Sequence, residues 1–311
     1  MKYLVISIGF IVSTTLVKLQ TLNLVMIPLY GLSLAGLIVM TKELQSQETD
    51  RTWKWNRLVV SILVCSSGAI MTWVVQTLVP LGPIFASSLL GLGAGLLIPG
   101  SAVVFFCGTF VGMASIEVFT WKFFLIAGAI AGFLWYLTED LFQGVGGKLG
   151  TLAMLASWIT VLLFPAALQE PTKGSWIILG LGLIVSLISG LTTFFLHTKK
   201  YTNSVVASSL AGGLSLILSY VLGSIAQQPI HLLAAMGFAA SFVGMSSKLR
   251  ISDWYQLLVP LVFCSVLFFA FGSFYPGIGG KLGFIAFISV SASYWIKKGL
   301  SRIKSQCTIK L

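Results

Sequence analysis

The chain reads as an all-α polytopic membrane protein with about twelve transmembrane helices, arranged as two added N-terminal helices and a 5+5 inverted repeat with short or broken helices. Three observations predict this. First, 57% of its 311 residues are hydrophobic and only 9% are charged, whereas a soluble domain carries about 25% charged residues. Second, apolar runs of roughly 16 to 23 residues follow one another with short polar breaks, each about long enough to cross a bilayer core. Third, one pair of motifs occurs twice. Backbone in lipid has no water to bond, so the runs must be helices. They lack the alternation of a membrane β-barrel.

The motif pair carries most of the functional information. Phe110-Val111-Gly112-Met113-Ala114-Ser115 is followed by Gly144-Val145-Gly146-Gly147-Lys148-Leu149-Gly150. Phe242-Val243-Gly244-Met245-Ser246-Ser247 is followed by Gly277-Ile278-Gly279-Gly280-Lys281-Leu282-Gly283. The offsets from Phe110 to Gly144 and from Phe242 to Gly277 are 34 and 35 positions. Matches of this kind at nearly equal spacing indicate an internal duplication.

In chain order, the first two spans cover about 3–19 and 22–41, with Pro28 as a kink in the second. Met1-Lys2 and the apolar run to Val17 lack a small-x-small cleavage site, so this segment reads as a retained helix. The loop 42–57 is the most polar and holds Lys42, Arg51, Lys54 and Arg57. The third span covers 57–79. The fourth (83–98) and fifth (101–115) are short and glycine-rich, separated by Pro99-Gly100, and can also form one broken or re-entrant element. The sixth (121–142) runs into the first Gly-Gly-Lys motif, and the seventh covers 149–168. The eighth to eleventh cover 175–197, 203–226, 229–247 and 254–275. The second Gly-Gly-Lys motif, a twelfth span (281–298) and a basic tail follow. The segments are thus 1–56, an N-terminal helix pair with its loop; 57–170 and 171–298, the two five-helix units; and 299–311, the tail.

With the N-terminus in the cytoplasm, 15 of 19 Lys and Arg residues fall inside, leaving Lys18, Lys122, Lys173 and Lys281 outside. This satisfies the positive-inside trend with both termini cytoplasmic. Ala86-Ser87-Ser88-Leu89 matches Ala207-Ser208-Ser209-Leu210 and sets the fourth span over the ninth. Five spans separate Lys148 from Lys281. An odd number places the two motifs on opposite faces, so the repeat is inverted. In transporters built this way, solute sites lie at the repeat interface, marked by short or Gly/Pro-interrupted helices in matching positions. Pro99 and Pro229 open such helices here.

Gly-x-Gly-Gly-Lys-Leu-Gly precedes an apolar helix. Its amides and Lys148 or Lys281 suit an anion; its carbonyls suit a cation path. The plain alternative is a tight turn whose lysine anchors a helix end, although a turn alone does not require the same lysine in both copies. The motif lacks the P-loop pattern. In the other motif, Gly108 and Gly112 suit close helix packing. Phe110, Met113, Phe242 and Met245 would constrict a path, and Ser115 and Ser247 would offer hydroxyls. The candidate pore or binding residues are therefore Gly146, Gly147, Lys148, Gly279, Gly280, Lys281, Phe110, Met113, Ser115, Phe242, Met245 and Ser247.

Of eight acidic residues, Glu139 and Asp140 lie deepest and are candidates for coupling; an interfacial pair close to Lys148 is the alternative. Glu117 falls in an outer loop. His197 and His231 sit at helix edges. The net charge of +11 lies at the ends of apolar runs, which excludes a nucleic-acid face. Cys65, Cys107 and Cys264 lie in apolar runs and Cys307 in the tail, with no CxxC or Cys/His metal spacing. No cofactor or metal is expected.

Two distant histidines and no buried carboxylate cluster argue against an enzyme. The scarcity of mid-helix carboxylates favours facilitated passage over coupled transport. The expectation is a transporter or channel for a small solute or ion, anionic or neutral, in a cell inner (plasma) membrane. An anionic-lipid flippase and a membrane scaffold are the alternatives, and a homo-oligomer is open. In its size, five-plus-five repeat and proline-started short elements, the chain is similar to urea-transporter-like channels. None of that family's motifs occurs, so the likeness is of plan.

Overall fold

A computed structural model describes residues 54–164, 175–271 and 276–308, with side chains to residue 298. The first two spans (3–19 and 22–41) and most of the polar loop fall outside the described residues. So do 165–174, 272–275 and the last three residues.

Among the described residues there are ten helices and no strand. They are α1 Trp55–Leu78, α2 Gly82–Leu97, α3 Ala102–Gly112, α4 Trp121–Thr138, α5 Lys148–Leu163, α6 Trp176–Thr198, α7 Ser204–Ala226, α8 Ile230–Gly244, α9 Trp254–Phe271 and α10 Lys281–Thr308. Five of them, α1, α4, α6, α7 and α9, are long and apolar enough to cross a membrane; α2, α3, α5 and α8 are shorter apolar helices. This is consistent with a helical membrane protein.

Local chemistry explains the boundaries. α1 stops at Leu78, and Val79, the residue before Pro80, is extended, the conformation that the proline ring favours in its predecessor. Pro83 sits in the first turn of α2, where its missing N–H costs nothing. Asn203 caps α7 by accepting from the Val206 amide at 2.9 Å, and its Nδ2 donates to the Gly95 carbonyl at 2.9 Å, fastening the start of α7 to the end of α2. Several serine and threonine hydroxyls inside the apolar helices donate to the carbonyl four residues back, as Thr72 does to Gly68 and Ser289 to Ile285. That contact satisfies them where no water is present.

Several ends differ from the sequence expectation. α3 ends at Gly112 rather than 115, because the Ser115 amide bonds a distant loop instead of its own helix. α4 ends at Thr138 rather than 142, and a turn with Phe142 at φ 53° follows. α5 starts at Lys148 and ends at Leu163, ahead of Pro165. α10 continues to Thr308, so most of the basic tail is helical.

Small residues set the packing, as expected where lipid removes the hydrophobic drive between helices. α1 is held between α3 and α4. Gly108 of α3 lies against Cys65 and Ala69, while Gly128 and Gly132 of α4 lie against Ser66 and Ser61. In the second part of the chain, α6 packs on α8 and α9. Gly190 lies under Ala240, and Gly244 lies against Gly190 and Thr193. The two parts join where α2 meets α7 and where α5 meets α10, the latter at a contact of Gly150 with Gly283. The outer faces are apolar: Leu78, Leu97 and Ile225 are each at least 75% exposed. α1, α4, α6 and α9 each begin with an exposed tryptophan, namely Trp55, Trp121, Trp176 and Trp254. Such tryptophans suit a bilayer interface.

Candidate functional site

The centre of the molecule is aromatic. Phe106 and Phe110 come from α3; Phe238 and Phe242 come from α8. All four are almost fully buried. Phe110 meets Phe242 at a centroid distance of 4.6 Å. Each also meets the phenylalanine one turn back on its own helix, at 4.4 Å for Phe106–Phe110 and 4.5 Å for Phe238–Phe242. The diagonal pairs, Phe106–Phe242 and Phe110–Phe238, both stand at 6.3 Å. Two hydroxyl pairs flank this quartet: Ser87 with Thr109 and Ser208 with Ser241, both at 2.9 Å.

Two cavities end on these rings, and Phe110 and Phe242 line both. The larger, about 990 Å³, is walled by Gln76, Met113, Ser115, His231, Ile278 and Lys281, among others. The smaller, about 250 Å³, is walled by Trp135, Glu139, Gly146, Lys148, Ser204 and Met245, among others. α3 therefore has its first turn (Val103) on the smaller cavity and its last residues on the larger, whereas α8 runs the other way. At about 1.5 Å per residue, helices of 11 and 15 residues are shorter than a bilayer core of roughly 30 Å.

The glycine-lysine loops close the far ends of these helices, each in trans. The Ser115 amide, just past α3, donates to the Gly277 carbonyl at 2.9 Å, and the Ser247 amide, just past α8, donates to the Gly144 carbonyl at 2.9 Å. Backbone runs so close that a Cβ on Gly146 would collide with the Phe242 carbonyl oxygen. A Cβ on Gly279 would press on those of Val111 and Phe110. Gly147 and Gly280 cap α5 and α10 with φ of 85° and 82°, a left-handed conformation that favours glycine. The Gly146 amide also donates to Ser246 Oγ at 3.1 Å.

Lys148 has a structural assignment. Its Nζ donates to the backbone carbonyls of Thr138 at 2.6 Å and Glu139 at 3.1 Å, so it caps the end of α4. The Glu139 carboxylate meets Arg57 at 2.7 Å. The smaller cavity is thus of mixed charge. The larger one carries Lys281 and His231 and no carboxylate among its described lining residues.

Of the residues singled out by sequence, Gly146, Gly147, Lys148, Met245 and Glu139 gather on the smaller cavity. Gly279, Gly280, Lys281, Met113 and Ser115 gather on the larger, with Phe110 and Phe242 between. Asp140 and Ser247 line neither, and Ser247 acts through its backbone. Sequence reasoning missed Phe106, Phe238, Gln76 and Trp135. The signal for the first two was present: Phe-x-x-x-Phe occurs in both copies, as Phe106 with Phe110 and Phe238 with Phe242. The described residues hold no group of three or more His, Cys, Asp or Glu suited to a metal ion.

The chain matches no protein-family model, and neither a curated protein nor a solved structure gives a significant match.

Proposed function

We propose that the protein is an integral membrane transporter or channel that passes a small solute, anionic or neutral, between two inverted halves. The carrying observation is the pair of cavities that end on one shared wall, Phe110 and Phe242. A conduit interrupted at its middle by apolar rings has this form, and no motif of catalysis competes with it.

The halves in this reading are α1–α5 and α6–α10. Several paired features support it. Each helix contact within the first half has its counterpart in the second, as α1 on α4 with α6 on α9, or α3 on α5 with α8 on α10. The reciprocal bonds from Ser115 to Gly277 and from Ser247 to Gly144 exchange under the same pairing. So do Gly91 against Ser209 and Gly212 against Ser88. Paired elements begin at opposite cavities, as α5 does at the smaller and α10 at the larger. With the two N-terminal spans, this gives twelve in an inner (plasma) membrane, both termini cytoplasmic, and the larger cavity facing outward.

Flux into proteoliposomes tests the proposal. Chloride, nitrate, acetate, urea and glycerol are supplied with and without proton or sodium gradients, to wild type and to Lys281→Gln. Solute entry that the substitution reduces supports the conduit. Absence of entry for every solute refutes it and leaves lipid flipping or scaffolding.

A further inference from the structure

The larger cavity is walled mostly by hydrocarbon and carries one hydrogen-bond acceptor held in a fixed orientation. It holds about 990 Å³, at the upper end of the roughly 300–1,000 Å³ of small-molecule sites, which are mainly apolar with a few placed polar groups. Ile84, Leu216, Ala235 and Phe268 supply apolar wall. Gln76, half-buried, supplies the polar group. Its Nε2 donates to the Gly112 carbonyl at 2.8 Å and to the Ala114 carbonyl at 3.2 Å. Both partners only accept, so the nitrogen must face them and the amide has a single orientation. Oε1 is then the polar atom that Gln76 has left for the cavity, and it has no hydrogen-bond partner among the described residues. Gln228 lines the same cavity with both ends of its amide engaged, by the Ser175 hydroxyl and the Ala226 carbonyl.

Charge narrows the ligand. A cation would share the cavity with the Lys281 ammonium, and juxtaposed like charges are costly. An anion would meet the Gln76 oxygen, itself an acceptor, while Lys281 is engaged with other groups of the chain. An uncharged donor suits the oxygen. We propose that this cavity binds an uncharged organic molecule with a hydrocarbon body, of the aliphatic primary amide class. Its N–H group donates to Gln76 Oε1, and the hydrocarbon lies along Ile84, Leu216 and Ala235. The proposal rests on the conduit reading for its biological sense, since it narrows the solute from anionic or neutral to neutral.

The test is a saturation-transfer NMR titration of the full chain in nanodiscs, against empty nanodiscs, with hexanamide, heptan-2-one, hexanoate and acetamide. Heptan-2-one keeps the shape of hexanamide but has a methyl in place of the amide nitrogen. Hexanamide is expected to bind saturably. A neutral hydrogen bond to an otherwise unpaired acceptor is worth about three- to tenfold in affinity, so heptan-2-one should bind more weakly by that factor although it is more apolar. Hexanoate, which has no donor, should bind no better than the ketone. Each methylene removed from water is worth about fourfold, so acetamide should bind at least about tenfold more weakly than hexanamide. Gln76→Met removes the preference for hexanamide over heptan-2-one. If Gln76→Met does not fold, Ala235→Trp serves instead: it fills the apolar part and weakens hexanamide more than acetamide. Equal binding of hexanamide and heptan-2-one, tighter binding of hexanoate, a preference unchanged in Gln76→Met, or a signal no greater than that of empty nanodiscs overturns the proposal. Flux separates the two readings. Entry of chloride or glycerol without hexanamide binding removes the ligand class and keeps the conduit. Hexanamide binding with no flux of any solute keeps the site and removes the conduit.

Discussion

Phe110 and Phe242 meet at a centroid separation of 4.6 Å with 49° between their planes, and each ring faces both cavities. They come from helices that run in opposite senses between those cavities. If the rings are the barrier, shortening them opens the path. Phe110→Ala and Phe242→Ala should each raise passive flux about tenfold while lowering stability by about 3–5 kcal/mol, the usual scale for a truncated core phenylalanine. Phe110→Leu should open the path less and cost less. Flux that stays flat in variants shown by thermal melting to be folded would remove the rings as a barrier.

The turn before each lysine helix predicts a paired sensitivity. An L-residue held at the left-handed φ of Gly147 or Gly280 costs about 1–2 kcal/mol. A Cβ there would also strike the opposite helix, at the Gly283 and Gly150 carbonyl oxygens respectively. Gly147→Ala and Gly280→Ala should both lower the melting temperature in detergent. Gly93→Ala and Gly213→Ala are the controls, since a Cβ at either meets nothing within 4 Å; they should be neutral or slightly stabilising, as alanine favours a helix.

Lys148 separates anchoring from conduction. Its ammonium serves the two carbonyls at the end of α4. Charge-assisted bonds of this kind contribute about 1.5–3 kcal/mol, so Lys148→Met should destabilise by that order, and Lys148→Arg should recover part of it. A Lys148→Met protein that melts like wild type would contradict the capping role. One that melts lower but conducts at an unchanged rate per folded molecule would assign the lysine to structure alone.

Sidedness is open to a direct chemical test. Ile116 lines the larger cavity and Gln143 the smaller, and both are exposed. In a Cys307→Ser background, Cys65, Cys107 and Cys264 are buried and should stay silent. An impermeant maleimide added outside whole cells should label Ile116→Cys and not Gln143→Cys. Labelling of both from one side would contradict the inverted arrangement.

Much of this site is legible in the sequence, and particular residues show why the rest is not. The Phe-Val-Gly-Met and Gly-Gly-Lys motifs stand out because they occur twice, so identity at fixed spacing marks them without any structure. Lys148 looks the same as Lys281 in such a comparison. Its use as a cap depends on where the α4 carbonyls end, which the apolar run to residue 142 conceals. The Glu139 carboxylate likewise meets Arg57, 82 positions away, and no local pattern announces such a pair.

By itself the sequence points to the medium and to helix as the secondary structure, though not to every helix end. A chain with 9% charged residues has too little polar surface to face water on all sides, and apolar backbone in lipid satisfies its bonds only as helix. It also determines which residues are twinned. Only the tertiary structure decides which twins meet. Ser115 bonds Gly277 rather than its own helix, Phe110 stacks on Phe242, and the two cavities differ about fourfold in volume, about 990 against 250 Å³. The reason is steric. Where lipid supplies no drive for one helix to choose another, close approach is set by which small residues face each other, such as Gly150 and Gly283. That match is made across more than a hundred residues of chain, beyond the reach of any local periodicity.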